Sequence, residues 1–173
     1  ARRRSLLGGG LASLVAAVTA GWWVHRETPL STLAADLRTG TGERMQHLLP
    51  DGSEITLAAR SAVDIDYSPS QRLVRLRQGA VMVNVAAHLS HRPFVVQSEE
   101  GTVMALGTRF MVRQLDGRSL VHVSEHSVRL TTRDGQHTST STSTTQLEEG
   151  RSAWLEADRI TPIDTEHMAA DAW

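Results

Sequence analysis

The stretch RLVRLRQGAVMVNVAA, residues 72–87, decides the fold class of this chain. Apolar and polar side chains alternate through RLVRLR and again through AVMVNVAA, and Gln78-Gly79 interrupts the alternation. Alternation with a period of two is typical of half-buried β-strands, and a glycine-containing pair between two such runs indicates a tight turn. We therefore interpret the stretch as two strands joined in a hairpin at Gly79.

The same pattern extends in both directions along the chain. The turn signals are Pro50-Asp51-Gly52, Ser68-Pro69-Ser70, Glu100-Gly101, Asp116-Gly117 and Asp134-Gly135. Strands recur about every ten residues, and no run after Val24 makes a convincing amphipathic helix. We predict an all-β soluble domain of short antiparallel strands over residues 34–163. The pattern leaves a sandwich, a barrel and a β-helical stack open.

Composition excludes several classes of function. The 173 residues are 40% apolar, enough for one core of ordinary size. All basic residues are arginines interspersed with acids, and the formal net charge of −1 gives no reason to expect nucleic acid as a partner. Cysteine is absent, which excludes disulfides and thiol chemistry. No serine-hydrolase elbow, phosphate loop or zinc-protease helix is present, so we expect no cofactor and no enzyme acting on a separate substrate.

Several polar groups qualify as candidate sites only weakly. The histidine pairs are His88 with His91 and His122 with His126. No acidic set nearby completes a coordination sphere, so we expect no metal. Asp64 and Asp66 lie on one strand face, which we interpret as solvated. The Ser/Thr segment HTSTSTSTTQ, residues 137–146, is expected to be a mobile loop, although alternating threonines also suit an edge strand.

The N-terminal region has the features of a membrane anchor. Twenty uncharged residues from Ser5 to Val24 match the length of a transmembrane helix. Arg2, Arg3 and Arg4 precede this span, which places the N-terminus in the cytoplasm and the later residues outside it. Trp22 and Trp23 mark the outer membrane interface. The alternatives are a cleaved signal peptide, which the two indoles disfavour, and a twin-arginine export signal.

Three glycines lie inside this predicted span. Gly8, Gly9 and Gly10 suit either close helix pairing or a locally unwound site for an intramembrane protease, and spacing does not choose between these uses. Residues 1–4 then form a basic flank, 25–33 a linker and 164–173 a C-terminal extension. The chain opens on ARRR without an initiator methionine, so we expect a part of the protein upstream.

Four motifs in a fixed order carry a resemblance to a known family. They are LPDGS (residues 49–53), LRQGA (76–80), RPFVV (92–96) and ALGTRF (105–110). Together they resemble the periplasmic domain of FecR-type transmembrane regulators of cell-surface signalling, from the membrane span to about Trp154. The resemblance implies a single-pass inner-membrane protein with a periplasmic C-terminal domain. Without it, composition and periodicity also permit a membrane-anchored all-β module that binds or supports the envelope.

The resemblance also implies partners. A regulator of this type holds an extracytoplasmic-function sigma factor through a cytoplasmic anti-sigma region. It senses the signalling domain of a TonB-dependent outer-membrane transducer, usually for ferric siderophore uptake, and periplasmic and intramembrane proteases act on it. The anti-sigma region precedes the span in the family, so no residue of this sequence is assigned to sigma binding. In the family the chain commonly continues into a further small periplasmic domain. The transducer can dock on that domain, which this sequence does not contain, or on an edge strand within residues 34–160, and the sequence does not choose between them.

Gly107 and Thr108 are the candidate catalytic residues. Some FecR-type regulators divide themselves at a Gly-Thr pair in the periplasmic domain, and Gly107-Thr108 in ALGTRF is the matching position. The chemistry is an attack of the threonine hydroxyl on the preceding carbonyl. The alternative is structural, with Gly107 permitting a bulge or close packing and Thr108 serving as an ordinary strand residue.

Overall fold

The computed structural model describes residues 34–86, 92–105, 107–133 and 144–163. The regular elements of these ranges are β-strands, so the prediction of an all-β domain is confirmed. The strands are Leu37–Arg38 (β1), Met45–Leu48 (β2), Glu54–Leu57 (β3), Ala62–Tyr67 (β4), Arg72–Gln78 (β5), Ala80–Asn84 (β6), Phe94–Gln97 (β7), Gly101–Ala105 (β8), Arg109–Leu115 (β9), Arg118–Glu125 (β10), Ser127–Thr132 (β11), Thr144–Glu148 (β12), Ser152–Leu155 (β13) and Ile160–Ile163 (β14).

The strands form two seven-stranded sheets, and both sheets gain strands in the order of the sequence. Sheet A has the order β1-β4-β5-β7-β8-β11-β12, and sheet B has the order β2-β3-β6-β9-β10-β13-β14. Hairpins alternate between the two, because β2–β3 and β9–β10 lie in sheet B whereas β4–β5 and β7–β8 lie in sheet A. N-terminal strands therefore lie at one side of each sheet and C-terminal strands at the other.

The prediction of a hairpin at Gly79 was wrong. The chain leaves sheet A at the end of β5, turns through Gly79 with a φ of 82°, and enters sheet B as β6. It then returns to sheet A as β7, which runs parallel to β5. The expectation of purely antiparallel strands was therefore also wrong at this pair. A crossover to the other sheet and back restores the original strand direction, which a two-residue turn does not do.

The two sheets share one hydrophobic core. Val74 and Leu76 of β5 and Val81 and Val83 of β6 are all buried in the same cluster, although their strands belong to different sheets. Arg75 between the first two is exposed, as the alternation predicts. Burying each such side chain contributes roughly 1.5–3 kcal/mol. Two sheets packed over a common core make the fold a sandwich, which settles the choice that the sequence left open.

The Ser/Thr segment is partly ordered into a strand. Residues 144–146, which we expected in a loop, begin β12, and this strand pairs with β11 at the edge of sheet A. Leu147, one residue beyond the low-complexity segment, is buried in the core. Leu147 is the one buried side chain of β12, an anchor that the Ser/Thr composition alone did not indicate.

The N-terminal predictions concern residues outside the described part of the chain. Across the described ranges, no helix has both the length and the apolar character needed to cross a membrane. The predicted span from Ser5 to Val24 and its flanking and glycine residues lie before residue 34, and the predicted extension lies after residue 163. These features stay predictions.

Candidate functional site

The Gly107–Thr108 bond lies where the chain crosses from one sheet to the other. Strand β8 ends at Ala105 in sheet A, and β9 begins at Arg109 in sheet B. Gly107 has a φ of 72°. This left-handed conformation costs other residues roughly 1–2 kcal/mol because their Cβ approaches the following carbonyl oxygen. The backbone of the crossing therefore favours glycine at this position, whatever chemistry follows.

Thr108 is buried, and its hydroxyl is unsatisfied. The residue is 4% exposed, and Oγ1 has no hydrogen-bond partner in the part of the chain that the structure describes. Its main-chain carbonyl, by contrast, accepts a hydrogen bond from the Val85 N–H at 2.9 Å. An unsatisfied buried hydroxyl costs about 1–3 kcal/mol, and such a group in a folded protein calls for an explanation.

The arrangement suits an intramolecular acyl shift. Attack of the Thr108 hydroxyl on the Gly107 carbonyl carbon closes a five-membered ring. Glycine offers no side chain to hinder attack on that carbon, and the hydroxyl makes no competing hydrogen bond within the described residues. Holding reacting groups in a fixed relative position is one of the largest sources of rate enhancement in proteins.

A buried ion pair lies close to this crossing. Arg72 Nη1 donates to Asp51 Oδ2 at 2.6 Å, and the two side chains are only 1% and 2% exposed. Asp51 also accepts hydrogen bonds from the Ser53 hydroxyl at 2.6 Å, the Ser53 N–H at 3.2 Å and the Tyr67 hydroxyl at 3.0 Å. A buried charge is tolerated when its partner and its remaining lone pairs are satisfied in this way.

The hydrogen bonds set the protonation of this carboxylate. Burial raises the pKa of Asp51, but hydrogen bonds from Ser53, Arg72 and Tyr67 outweigh it, and the net pKa lies below the ordinary value. The pKa of Tyr67 is raised by burial and by its hydrogen bond to the Asp51 carboxylate. Asp51 is therefore ionised and Tyr67 is a neutral donor at neutral pH.

Arg72 connects the pair to the RPFVV motif. Its Nε and Nη2 donate to the Arg92 carbonyl at 3.1 and 2.9 Å. Its guanidinium carbon lies 5.5 Å from the centre of the Phe94 ring, and that ring meets Tyr67 edge-on at 6.5 Å. The network therefore joins the LPDGS turn, the start of β5 and the RPFVV segment through charge, hydrogen bonds and aromatic contacts.

Sequence reasoning missed Asp51 and Arg72 as a functional pair. Asp51 was assigned only a turn role, which it also has, because its carboxylate accepts from the Ser53 N–H two residues on. Arg72 opens an alternating strand and resembles the arginines that follow it. The available signal was positional, since both residues lie within or beside the four motifs that carry the family resemblance.

The other candidate residues do not assemble into a site. Asp64 and Asp66 pair with Arg77 and Arg75 on the outer face of sheet A, as a solvated strand face does. His122 bonds the Ser152 hydroxyl at 2.9 Å, and burial lowers its pKa. His126 lies at the β10–β11 turn, where its N–H donates to the Glu149 carboxylate. Among the described residues no group of three or more histidine and acidic side chains is placed to hold a metal.

Other candidate residues fall outside the described ranges. His88 and His91 lie in the gap before residue 92. The residues predicted for the membrane interface and for the intramembrane cleavage region precede residue 34, and they are Arg2, Arg3, Arg4, Trp22, Trp23, Gly8, Gly9 and Gly10. Their roles stay predictions.

Within the described residues, sheet B has a free edge at β2, beside a shallow concavity. The concavity has a volume of about 490 Å³ and is lined by Arg44, Gln46, Glu54, Thr56, Met82, Asn84 and Arg109. Strand β2 forms the edge of this sheet, and its last residue, Leu48, is 69% exposed. A large apolar side chain this exposed at an open sheet edge is the kind of feature that natural sheets usually avoid.

Comparisons with known proteins place the chain in a family. A family model described as FecR protein matches residues 35–129. Two crystal structures, at 1.65 and 2.50 Å resolution, of a candidate anti-sigma factor from Parabacteroides distasonis ATCC 8503 share the fold, with TM-scores of 0.63 and 0.62 and 23% identity. The match covers 74% of this chain and 58% of each of those chains. No curated protein sequence matches.

Proposed function

Since this chain belongs to the FecR protein family, we propose that it is the anchored periplasmic part of a signalling regulator in the bacterial inner membrane. The regulator receives a signal for ferric siderophore uptake from a TonB-dependent outer-membrane transducer and passes it to an extracytoplasmic-function sigma factor. The family match over residues 35–129 carries this proposal. It encloses both the Asp51–Arg72 network and the Gly107–Thr108 bond.

The proposed topology places Ser5 to Val24 in the membrane. The arginine flank precedes this segment, so we expect a reporter that works only in the periplasm to be active when fused after Val24. A reporter that works only in the cytoplasm should be active when fused before Arg2. The reverse pattern of activities contradicts the proposed orientation.

Signal transfer to the sigma factor requires loss of the anchor in this proposal. We expect engagement of the transducer to be followed by proteolysis within Ser5 to Val24, at or near Gly8 to Gly10, where glycines weaken the helix. Blotting for the membrane-bound chain while following a sigma-dependent reporter tests this step. Reporter induction with the span still intact contradicts it.

We place the docking of the transducer's signalling domain at the free edge formed by β2. The Leu49 N–H donates to the Ser53 carbonyl at 2.8 Å, so the alternating ladder turns the amides of Gln46 and Leu48 away from β3. Of the other described edges, β1 has two residues and β14 contains Pro162, which lacks an N–H. The remaining edge, β12, has no large exposed apolar side chain for a partner to bury. An added strand also buries Leu48.

A pair of leucines tests this docking surface. Leu48→Lys places a charge at the proposed contact, whereas Leu115→Lys changes another exposed leucine, 41% exposed, at the end of β9. We expect the first variant to weaken binding of the purified signalling domain by at least roughly tenfold and the second to leave it unchanged. Calorimetric titration measures both. Equal affinities for the two variants contradict docking at β2.

We also propose that the chain cuts itself between Gly107 and Thr108. The unsatisfied buried hydroxyl of Thr108 and the left-handed Gly107 support this, because they leave a nucleophile free beside an unhindered carbonyl. The two pieces remain associated, since each sheet contains strands from both sides of the bond. N-terminal sequencing of the smaller piece should begin at Thr108, and any other start contradicts this site.

A further inference from the structure

The buried ion pair and the proposed cleavage site are connected through two neighbouring residues. Ser53 Oγ accepts a hydrogen bond from the Ala86 N–H at 3.0 Å, and Arg72 Nη1 donates to the Ala86 carbonyl at 3.3 Å. The preceding residue, Val85, donates its N–H to the Thr108 carbonyl at 2.9 Å. Ser53 therefore holds the N–H of Ala86 and Arg72 holds its carbonyl, one residue beyond the Val85 N–H that bonds Thr108.

We infer that Asp51, with Ser53 and Arg72, positions Thr108 for its attack on Gly107. The inference rests on the proposed self-cleavage. These side chains are positioning residues, because none of their described contacts reaches the reacting atoms. They act through Val85 and Ala86, whose main chain lies between the network and the crossing.

The contacts from Ser53 and Arg72 to Ala86 lie just beyond the last residue pair of the β6–β9 ladder. The β6–β9 ladder ends with the pairing of Asn84 and Arg109, and the bond from Val85 to Thr108 extends it by one step. Ala86 lies beyond that step. The LPDGS turn lies beside it, since a Cβ added at Gly52 would lie at ordinary contact distance, 3.7 Å, from the Ala86 Cβ. The hydrogen bonds from Ser53 and Arg72 therefore hold the chain where the ladder ends.

Asp51 controls both contacts to Ala86. It accepts a hydrogen bond from the Ser53 hydroxyl at 2.6 Å, which leaves a lone pair of the Ser53 oxygen to accept from the Ala86 N–H. It also pairs with the same Arg72 nitrogen that donates to the Ala86 carbonyl. Loss of the Asp51 charge therefore loosens the N–H side and the carbonyl side of this residue together.

The reaction depends on small displacements of Thr108. In the first step a bond forms between Thr108 Oγ1 and the Gly107 carbonyl carbon, the amide C–N bond breaks, and the hydroxyl proton passes to the released amine. Water then adds to the resulting ester and yields a Gly107 carboxylate and a free threonine hydroxyl. A misplacement of about 1 Å costs roughly a hundredfold in rate in such reactions. Fixing the Thr108 main chain therefore changes the rate of the first step.

Two variants separate positioning from stability. Asp51→Asn removes the charge. Ser53→Ala removes the hydroxyl that bonds both Asp51 and the Ala86 N–H, while leaving the Asp51–Arg72 ion pair. The matched control is Glu100→Gln, another buried carboxylate, which accepts from Ser98 and Ser119 and makes no described contact with the crossing. The full chain is synthesised cell-free in detergent micelles, and the fraction of cut chain is followed over time well below the unfolding temperature.

We expect Asp51→Asn and Ser53→Ala each to slow cleavage by at least roughly tenfold, and Glu100→Gln to stay within about twofold of the wild type. Folded variants of Asp51 and Ser53 that cleave at the wild-type rate overturn the positioning role and leave the self-cleavage proposal standing. If Asp51→Asn fails to fold, Ser53→Ala decides alone. An uncut wild type instead overturns the self-cleavage proposal, and this inference with it.

Discussion

Two glycines, Gly79 and Gly107, lead the chain across the sandwich in the same way. Both have a left-handed φ, 82° and 72°, and both follow a strand of sheet A and precede a strand of sheet B. The residue after each glycine differs in its hydrogen bonding. The Ser61 hydroxyl accepts from the Ala80 N–H at 2.9 Å and donates to the Ala80 carbonyl at 3.1 Å. The hydroxyl of Thr108 has no partner within the described residues.

The comparison shows how one backbone feature supports two roles. At the first crossing, the space beside Gly79 is filled, because a Cβ there would lie 2.7 Å from the Arg60 carbonyl oxygen and from Ser61 Cα. The Ala80 N–H and carbonyl bond the Ser61 hydroxyl, and the Gly79 carbonyl accepts from the Gln114 N–H at 2.8 Å. At the second crossing the backbone is fixed, but a nucleophilic hydroxyl is left unsatisfied. The hydroxyl beside the structural crossing is satisfied, whereas the hydroxyl at the candidate reactive crossing has no partner among the described residues.

The largest expected effect follows from alanine at Gly79. Gly79→Ala adds left-handed strain and a steric overlap, about 2–5 kcal/mol together, whereas the strain alone costs about 1–2 kcal/mol. Urea unfolding in a Thr108→Val background, which prevents the proposed cut, measures the loss. A loss for Gly79→Ala no larger than the strain alone contradicts the assignment of Gly79 as the crossing closed by packing.

Removing the hydroxyl at each crossing should give opposite results. Ser61→Ala leaves the Ala80 N–H without its buried acceptor and should lower the free energy of unfolding by about 1–3 kcal/mol. Thr108→Val removes a hydroxyl that has no described partner, so stability should stay unchanged or rise. The same urea titration compares the two variants. A clear loss of stability in Thr108→Val means that its hydroxyl is bonded in solution.

The buried Asp51–Arg72 pair supports the second crossing and not the first. Lowering the pH should therefore lower the free energy of unfolding by removing the charge of Asp51. The folded pKa of Asp51 is lowered, so its contribution is fully present above the unfolded carboxyl pKa of about 3.9. The contribution is lost as the pH falls through the lower folded value. In the uncut Thr108→Val background, the chain with Asp51 should therefore lose stability more steeply than the chain with Asp51→Asn below about pH 4. Parallel pH profiles for the two proteins contradict this.

A smaller acid effect should arise away from both crossings. Burial lowers the pKa of His122 in the folded state, so the unfolded chain binds a proton first. Stability should decline as the pH falls through the unfolded histidine pKa of about 6.5 and stop declining below the folded value. His122→Gln should remove this slope and leave the cleavage rate unchanged. A slope that persists in the variant assigns it to another group.

The fold class was predictable because alternation reports which face of a strand is buried. It does not report which sheet a strand joins, so Gln78-Gly79 looked like a hairpin and the parallel β5–β7 pair went unpredicted. The Gly107–Thr108 position came from the family resemblance. The Asp51–Arg72 pair could not be predicted, because its members are twenty-one residues apart and only the folded sandwich brings them together.

The central claim is that the unsatisfied hydroxyl makes the second crossing reactive, and one measurement tests it most directly. The full chain, made without other proteases and denatured to separate associated pieces, is weighed by mass spectrometry. We predict two fragments, one ending at Gly107 and one beginning at Thr108, which Thr108→Ala abolishes and Thr108→Ser retains at least in part. A single intact wild-type chain contradicts the claim and makes Gly107, like Gly79, a structural glycine.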